Sequence, residues 1–80
     1  MEEVLFDVVC SLADLGDSKM RDTFGLGVKL RGENSESLHA IYWDLSYEKE
    51  SVERFIDLLI RNRVSLVHID EMIDDYFFTP

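Results

Sequence analysis

Between Ser46 and Val64, the residues Val52, Phe55, Ile56, Leu59 and Ile60 recur at the i, i+3, i+4, i+7, i+8 spacing of one helix face. An apolar stripe this wide has to be covered, so the stretch predicts an amphipathic helix lying on a second layer of structure. Ser46 is placed to cap it, with Glu48 and Glu50 near its positive end. Glu50 with Arg54, and Asp57 with Arg61, make i, i+4 pairs worth about 0.2 to 0.5 kcal/mol each. Asn62, flanked by Arg61 and Arg63, suits a left-handed exit from the helix.

The second layer is predicted upstream. From Glu3 to Ala13 the chain alternates strictly, with Val4, Phe6, Val8, Cys10 and Leu12 on one face, which reads as a half-buried strand. Asp14 to Asp22 is rich in turn and charged residues and reads as a loop. Thr23 to Arg31 alternates again, setting Phe24, Leu26, Val28 and Leu30 against a face that carries Gly25 and Gly27. Two glycines on one face either thin the solvent side or admit another backbone. Gly32 to Ser37 is a polar hairpin loop, and Leu38 to Leu45 is a third strand with apolar residues in both phases, as in a strand that is central or covered on both sides.

From Ser65 a helical pattern restarts: Leu66, Ile69, Met72, Ile73, Tyr76 and Phe77 form a stripe, with Ser65 as cap. A competing reading makes 64–69 a fourth strand and starts the helix at Asp70. The expected architecture is α+β over residues 1–80 as one domain: a three-stranded antiparallel β-meander packed against two C-terminal α-helices, βββαα. With 46% hydrophobic residues and nine aromatics, the chain has material for a packed core despite its net charge of -9. A domain of this size is stable by about 4 to 12 kcal/mol.

That charge constrains function. Seventeen acids against eight bases oppose direct binding to nucleic acid or anionic lipid, and the excess sits at the ends, net -4 over residues 1–22 and net -4 over 65–80. The start, Met1-Glu2-Glu3, is acidic where a secretion signal is basic, and no apolar run reaches the length of a membrane span. These features point to a cytoplasmic protein. Cys10 is the only cysteine, which rules out an internal disulfide and a thiolate cage, and its phase predicts a small buried hydrophobe.

Chemistry-bearing residues concentrate in the second helix. Asp70 with Asp74, and Glu71 with Asp75, are i, i+4 carboxylate pairs on its outer face, with His68 just upstream. They make a solvated acidic face, a protein-binding face, or a weak divalent-cation site using His68, Glu71 and Asp75; the calcium-loop pattern is missing. His39 and His68 lie in separate elements without a nucleophile motif beside either, and no phosphate loop, zinc spacing or nucleotide fingerprint is present. A chain this small has little room for a pocket of several hundred cubic ångströms. The expectation is therefore a protein that is not an enzyme and holds no cofactor or metal. Trp43 and Tyr42 are core material first, and of the run Tyr76-Phe77-Phe78 at least Phe78 is expected near the surface, beside the carboxylates.

Thr23-Phe24-Gly25-Leu26, Asp44-Leu45-Ser46, the Val52 to Asn62 helix, and Val64-Ser65-Leu66-Val67-His68-Ile69 with Met72-Ile73-Asp74-Asp75-Tyr76 together resemble a family of small uncharacterised bacterial proteins, a domain of unknown function. The resemblance covers about residues 23–77 and implies no activity. Leu66 stands where that family has a proline after the serine. The segment Glu50 to Ile56 also looks like a helix of a phage-type acidic inhibitor of RNA-guided nucleases.

The reading that joins these observations is a small acidic non-catalytic binding module. Asp70, Glu71, Asp74, Asp75 and Phe78 form its partner-binding face, directed at a basic protein surface such as that of a nucleic-acid-binding protein. Its sharper form is an inhibitor that mimics nucleic acid, anti-CRISPR-like. A homo-oligomeric structural protein and a weak divalent-metal binder are the alternatives.

Overall fold

The computed structural model describes residues 3–78, so Met1-Glu2 of the acidic start lie outside the described residues. Strands β1 (Glu3–Gly16), β2 (Lys19–Arg31) and β3 (Glu36–Ser46) form one antiparallel sheet in the order β1-β2-β3. Helix α1 (Lys49–Arg61) follows, then a second helical segment that starts as a 3-10 turn over Leu66–His68, becomes α2 (Ile69–Ile73) and widens into a π turn over Asp74–Phe78. This is the expected βββαα layout. Residues 64–69 carry no strand.

The stretch from Asp14 to Asp22, expected as a loop, is instead the end of a long hairpin. Only Asp17 and Ser18 form the turn, both left-handed (φ 53° and 62°), and Gly16 at φ 86° leads into it. Two central residues with positive φ make the turn whose twist matches paired strands. The Asp14 carboxylate accepts from the Gly16 N–H at 2.9 Å. The alternation signal fades here because this end of the hairpin has no layer above it, so neither face needs to be apolar. At about 3.3 Å per residue the 14 residues of β1 are about 45 Å long, whereas the 13 residues of α1 at 1.5 Å span about 20 Å. The sheet outruns its helices, which gives the molecule its 49 × 30 × 18 Å extents. For the same reason Cys10, expected to be buried, is exposed, and Leu12 is 63% exposed.

The core lies where the helices do cover the sheet. Leu26 and Val28 of β2 and Leu45 of β3 meet Phe55 and Leu59 of α1 and Ile69 and Ile73 of α2, with Val52 also fully buried. Phe55 is the hub of an aromatic cluster, its ring centroid 5.1 Å from those of both Tyr76 and Phe77. The α1 stripe holds except at its edge, where Ile60 is 59% exposed.

The caps are built differently from expectation. Ser46 Oγ does accept an N–H, that of Glu48 at 3.0 Å, but as a turn before the helix, whose N-cap is Glu48. Ser65 makes no side-chain cap; its carbonyl accepts from the His68 N–H at 3.0 Å. At the end of α1, Arg63 rather than Asn62 is left-handed (φ 48°). Val64 N–H reaches Leu59 O at 3.1 Å and Arg63 N–H reaches Ile60 O at 3.2 Å, the paired bonds of a Schellman motif. Neither Glu50 with Arg54 nor Asp57 with Arg61 is among the ion pairs seen in the described residues, which join Lys29 to Asp7 and Glu36 and Arg31 to Glu3.

Strand β3 is an edge strand, not a central one; β2 holds the centre. Its mixed phases come from irregular pairing. Phe24 to Leu26 on β2 is matched by Ser46 to Tyr42 on β3, so β3 carries two extra residues there, and Asp44 within them is left-handed (φ 56°). Tyr42 faces the core side with Leu26, Ile41 shares the glycine side with Gly27, and Leu45 returns to the core beyond the bulge. The bulge passes directly over Gly25. A Cβ at Gly25 would overlap the Tyr42 carbonyl oxygen and lie 3.1 Å from the Trp43 Cα. Across the same space Ser11 donates its hydroxyl to Asp44 Oδ1 at 3.1 Å, tying the bulge to β1. Of the two expectations for these glycines, close backbone approach is the one realised.

Gly25→Ala is therefore expected to destabilise at or beyond the upper end of the about 1 to 3 kcal/mol typical of overpacking, since the obstruction is backbone. Gly27→Ala meets the Val9 Cγ1 at 3.3 Å and Asp7 only at ordinary contact distance, and is expected to cost less, about 1 kcal/mol. Urea unfolding of the two variants beside the parent measures the difference.

Candidate functional site

The bulge and the second helical segment face each other across a cleft. The bulge delivers Tyr42, Trp43 and Leu45 from one side, and the second helical segment delivers Asp70, Ile73, Asp74 and Phe78 from the other. The cleft encloses about 420 Å³. Leu45 and Ile73, both buried, make its floor. Trp43 and Phe78 stand as walls, 52% and 59% exposed, while Tyr42 is half-buried and also packs on the core. Adjacent strand residues point to opposite faces, so Tyr42 and Trp43 cannot both enter one core. The bulge turns that geometric surplus into two rings on one cleft.

Two carboxylates, Asp70 and Asp74, line the same space. Tyr42 donates its phenolic hydrogen bond to Asp70. Burial, that bond and the Asp70 charge together push the Tyr42 phenol from 10.0 up to about 12. The shift favours the protonated, donating form of Tyr42, and the Asp70 carboxylate has acceptor capacity beyond that one bond.

Of the five side chains expected to bind a partner, Asp70, Asp74 and Phe78 converge on this cleft. Glu71 and Asp75 lie on the same stretch but do not line it. Glu71 instead approaches His68, Oε2 to Nδ1 3.9 Å, with both side chains exposed. Among the described residues no three His, Cys, Asp or Glu side chains gather in a way that could hold a metal ion, so the set His68, Glu71 and Asp75 does not assemble. The expectation that so small a chain lacks room for a pocket of this size is overturned. The space is a groove at the surface between two elements, so it takes nothing from the core. Tyr42 and Trp43 are core material by composition alone; the signal for their place in the cleft is two adjacent aromatics in a strand, followed by Asp44, a residue type that tolerates the left-handed region.

No helix among the described residues is long and apolar enough to cross a membrane. A family model described as a family of unknown function (DUF6514) matches residues 5–78, extending the resemblance seen over 23–77 through β1. No curated protein and no solved structure matches the chain.

Below pH 10 the phenol of Tyr42 is protonated in both folded and unfolded chains, whereas between 10.0 and about 12 only the folded chain keeps the proton. Stability therefore falls as pH rises through that window. Tyr42→Phe is expected to lose this part of the alkaline decline. Asp70→Asn is expected to lower the Tyr42 pKa without returning it to 10.0, because burial, the largest cause, remains. Urea unfolding at stepped alkaline pH reads the first, and tyrosinate absorbance against pH, taken as a difference from Tyr42→Phe, reads the second.

Proposed function

We propose that this chain, which belongs to the family of unknown function DUF6514, is a small acidic, non-catalytic binding module that docks onto a basic surface of a partner protein. The observation that carries this reading is the convergence of Asp70, Asp74 and Phe78 with two further aromatic rings on one surface cleft. Interfaces are enriched in aromatic side chains at their centre, and a charged surround steers approach. The net charge of -9 and the absence of any Lys or Arg from residues 65–80 make the second helical segment the negative pole of such an encounter. Neither histidine nor Cys10 lines the cleft, which supports binding over catalysis. The sharper form of the reading is occupation of a groove built for phosphates, as in an inhibitor of a nucleic-acid-binding protein of anti-CRISPR type. A cytoplasmic setting suits the exposed free thiol of Cys10.

The test is retention of basic proteins by the immobilised chain at low salt, followed by a salt gradient and, separately, by duplex DNA. The reading expects nucleic-acid-binding proteins that duplex DNA displaces. Asp70→Asn with Asp74→Asn is expected to lower affinity and flatten its dependence on salt; an unchanged salt slope would sink the acidic-face reading.

A second reading, self-association, rests on the projecting end of the hairpin, where Leu12, Leu15 and Met20 are all at least half exposed. It expects sedimentation to show a dimer at high micromolar concentration that Leu12→Ser with Met20→Ser dissociates. A parent that stays monomeric removes it.

A further inference from the structure

We propose that the cleft between the β3 bulge and the second helical segment receives an arginine side chain of the partner, its guanidinium plane against the aromatic walls and its N–H groups on Asp70 and Asp74. The proposal rests on the partner-docking reading and gives it a chemistry. The lining excludes the other occupants in turn. An anion would meet two carboxylates. A neutral apolar group would take water from two carboxylates and offer them no donor of its own. A hard divalent cation takes six or more oxygens, whereas the cleft offers two carboxylates and a phenol above an apolar floor.

With two carboxylates and a net charge of -9 behind it, the lining favours a cation with a broad, weakly hydrated body. Trp43, Tyr42 and Phe78 bring aromatic rings to the cleft, and Leu45 and Ile73 bring apolar surface for a side-chain stem. Asp70 and Asp74 are four residues apart, about 6 Å along a helix at 1.5 Å per residue, a spacing that the five donors of a guanidinium fork can serve. Lysine's ammonium is compact and strongly hydrated, has three donors and stacks poorly, so the same cleft discriminates against it. Tyr42, which packs on the core and lines the cleft, stands beside Asp70.

The chain carries its own reporter, because Trp43 is its only tryptophan and stands in the cleft wall. A capped tri-arginine peptide, a capped tri-lysine peptide and tetramethylammonium are each titrated at matched ionic strength, read by Trp43 fluorescence and by calorimetry. The expected result is saturable binding of the arginine peptide, with the lysine peptide about fivefold weaker and tetramethylammonium weaker still. Two double variants remove the same charge from the same stretch: Asp70→Asn with Asp74→Asn is expected to weaken the arginine peptide by about tenfold, and Glu71→Gln with Asp75→Asn by less than about twofold. Equal binding of the two peptides, or equal loss in the two variants, overturns the arginine cleft and leaves the wider acidic-face reading standing. Tighter binding of tetramethylammonium assigns the cleft to a quaternary ammonium and overturns the proposal. Failure of both peptides to bind overturns both readings. The comparison of ligands on the parent protein stands even if a variant fails to fold.

Discussion

The close passage of β3 over Gly25 is the constraint on which the rest of the molecule depends. A strand pair normally keeps its backbones side by side with side chains between successive layers; here the Tyr42 carbonyl occupies the place of a β2 side chain. Removing one Cβ lets β3 take in two extra residues, turn through the left-handed Asp44 and lean toward β1, where Ser11 holds it. The displaced strand brings Leu45 back into the core and leaves Trp43 outside it. A bulge is an established way to re-aim a side chain at the edge of a sheet. In this fold it turns an edge strand into one wall of a cleft.

The other wall follows from Phe55. Its ring meets both Tyr76 and Phe77, so two consecutive residues of the chain are committed to one partner on α1. The backbone there adopts a π turn, wider than an α-helix, and π turns concentrate where ordinary helix spacing conflicts with function. Phe78, next in line, is carried past the core to the rim of the cleft. Core packing and site construction are therefore one act in this region: the contacts that bury Phe55 also set where Asp74 and Phe78 stand.

The sequence made the layers legible and the irregularities illegible. The period of α1, the alternation in β1 and β2, and the stripe from Leu66 to Phe77 each report burial on one face, and each element formed. Where burial stops, the signal stops with it, so the strand residues from Lys19 to Asp22 read as loop and Cys10 read as core. The acidic residues were visible as a face, but a face is a property of one element. The cleft needs β3 to sit opposite α2, and that juxtaposition arises from a bulge whose sequence trace is limited to Gly25 on one strand and Asp44 on the other. Asp70, Asp74 and Phe78 could be named from their own helix; Tyr42 and Trp43 could be joined to them only once the strands were paired.

The hairpin of β1 and β2 runs beyond the helices, and this has a thermodynamic side. Along a single ladder, the half beneath α1 and α2 is locked by buried side chains such as Leu26 and Val28, while the half near Asp17 has backbone bonds that face water on both sides. One pair of strands thus spans two regimes of local opening, the first tied to global unfolding and the second free to fray and reclose on its own. The ladder thus carries its stiffness at one end only, and anything that grips the tip would harden the weak end while leaving the core as it was.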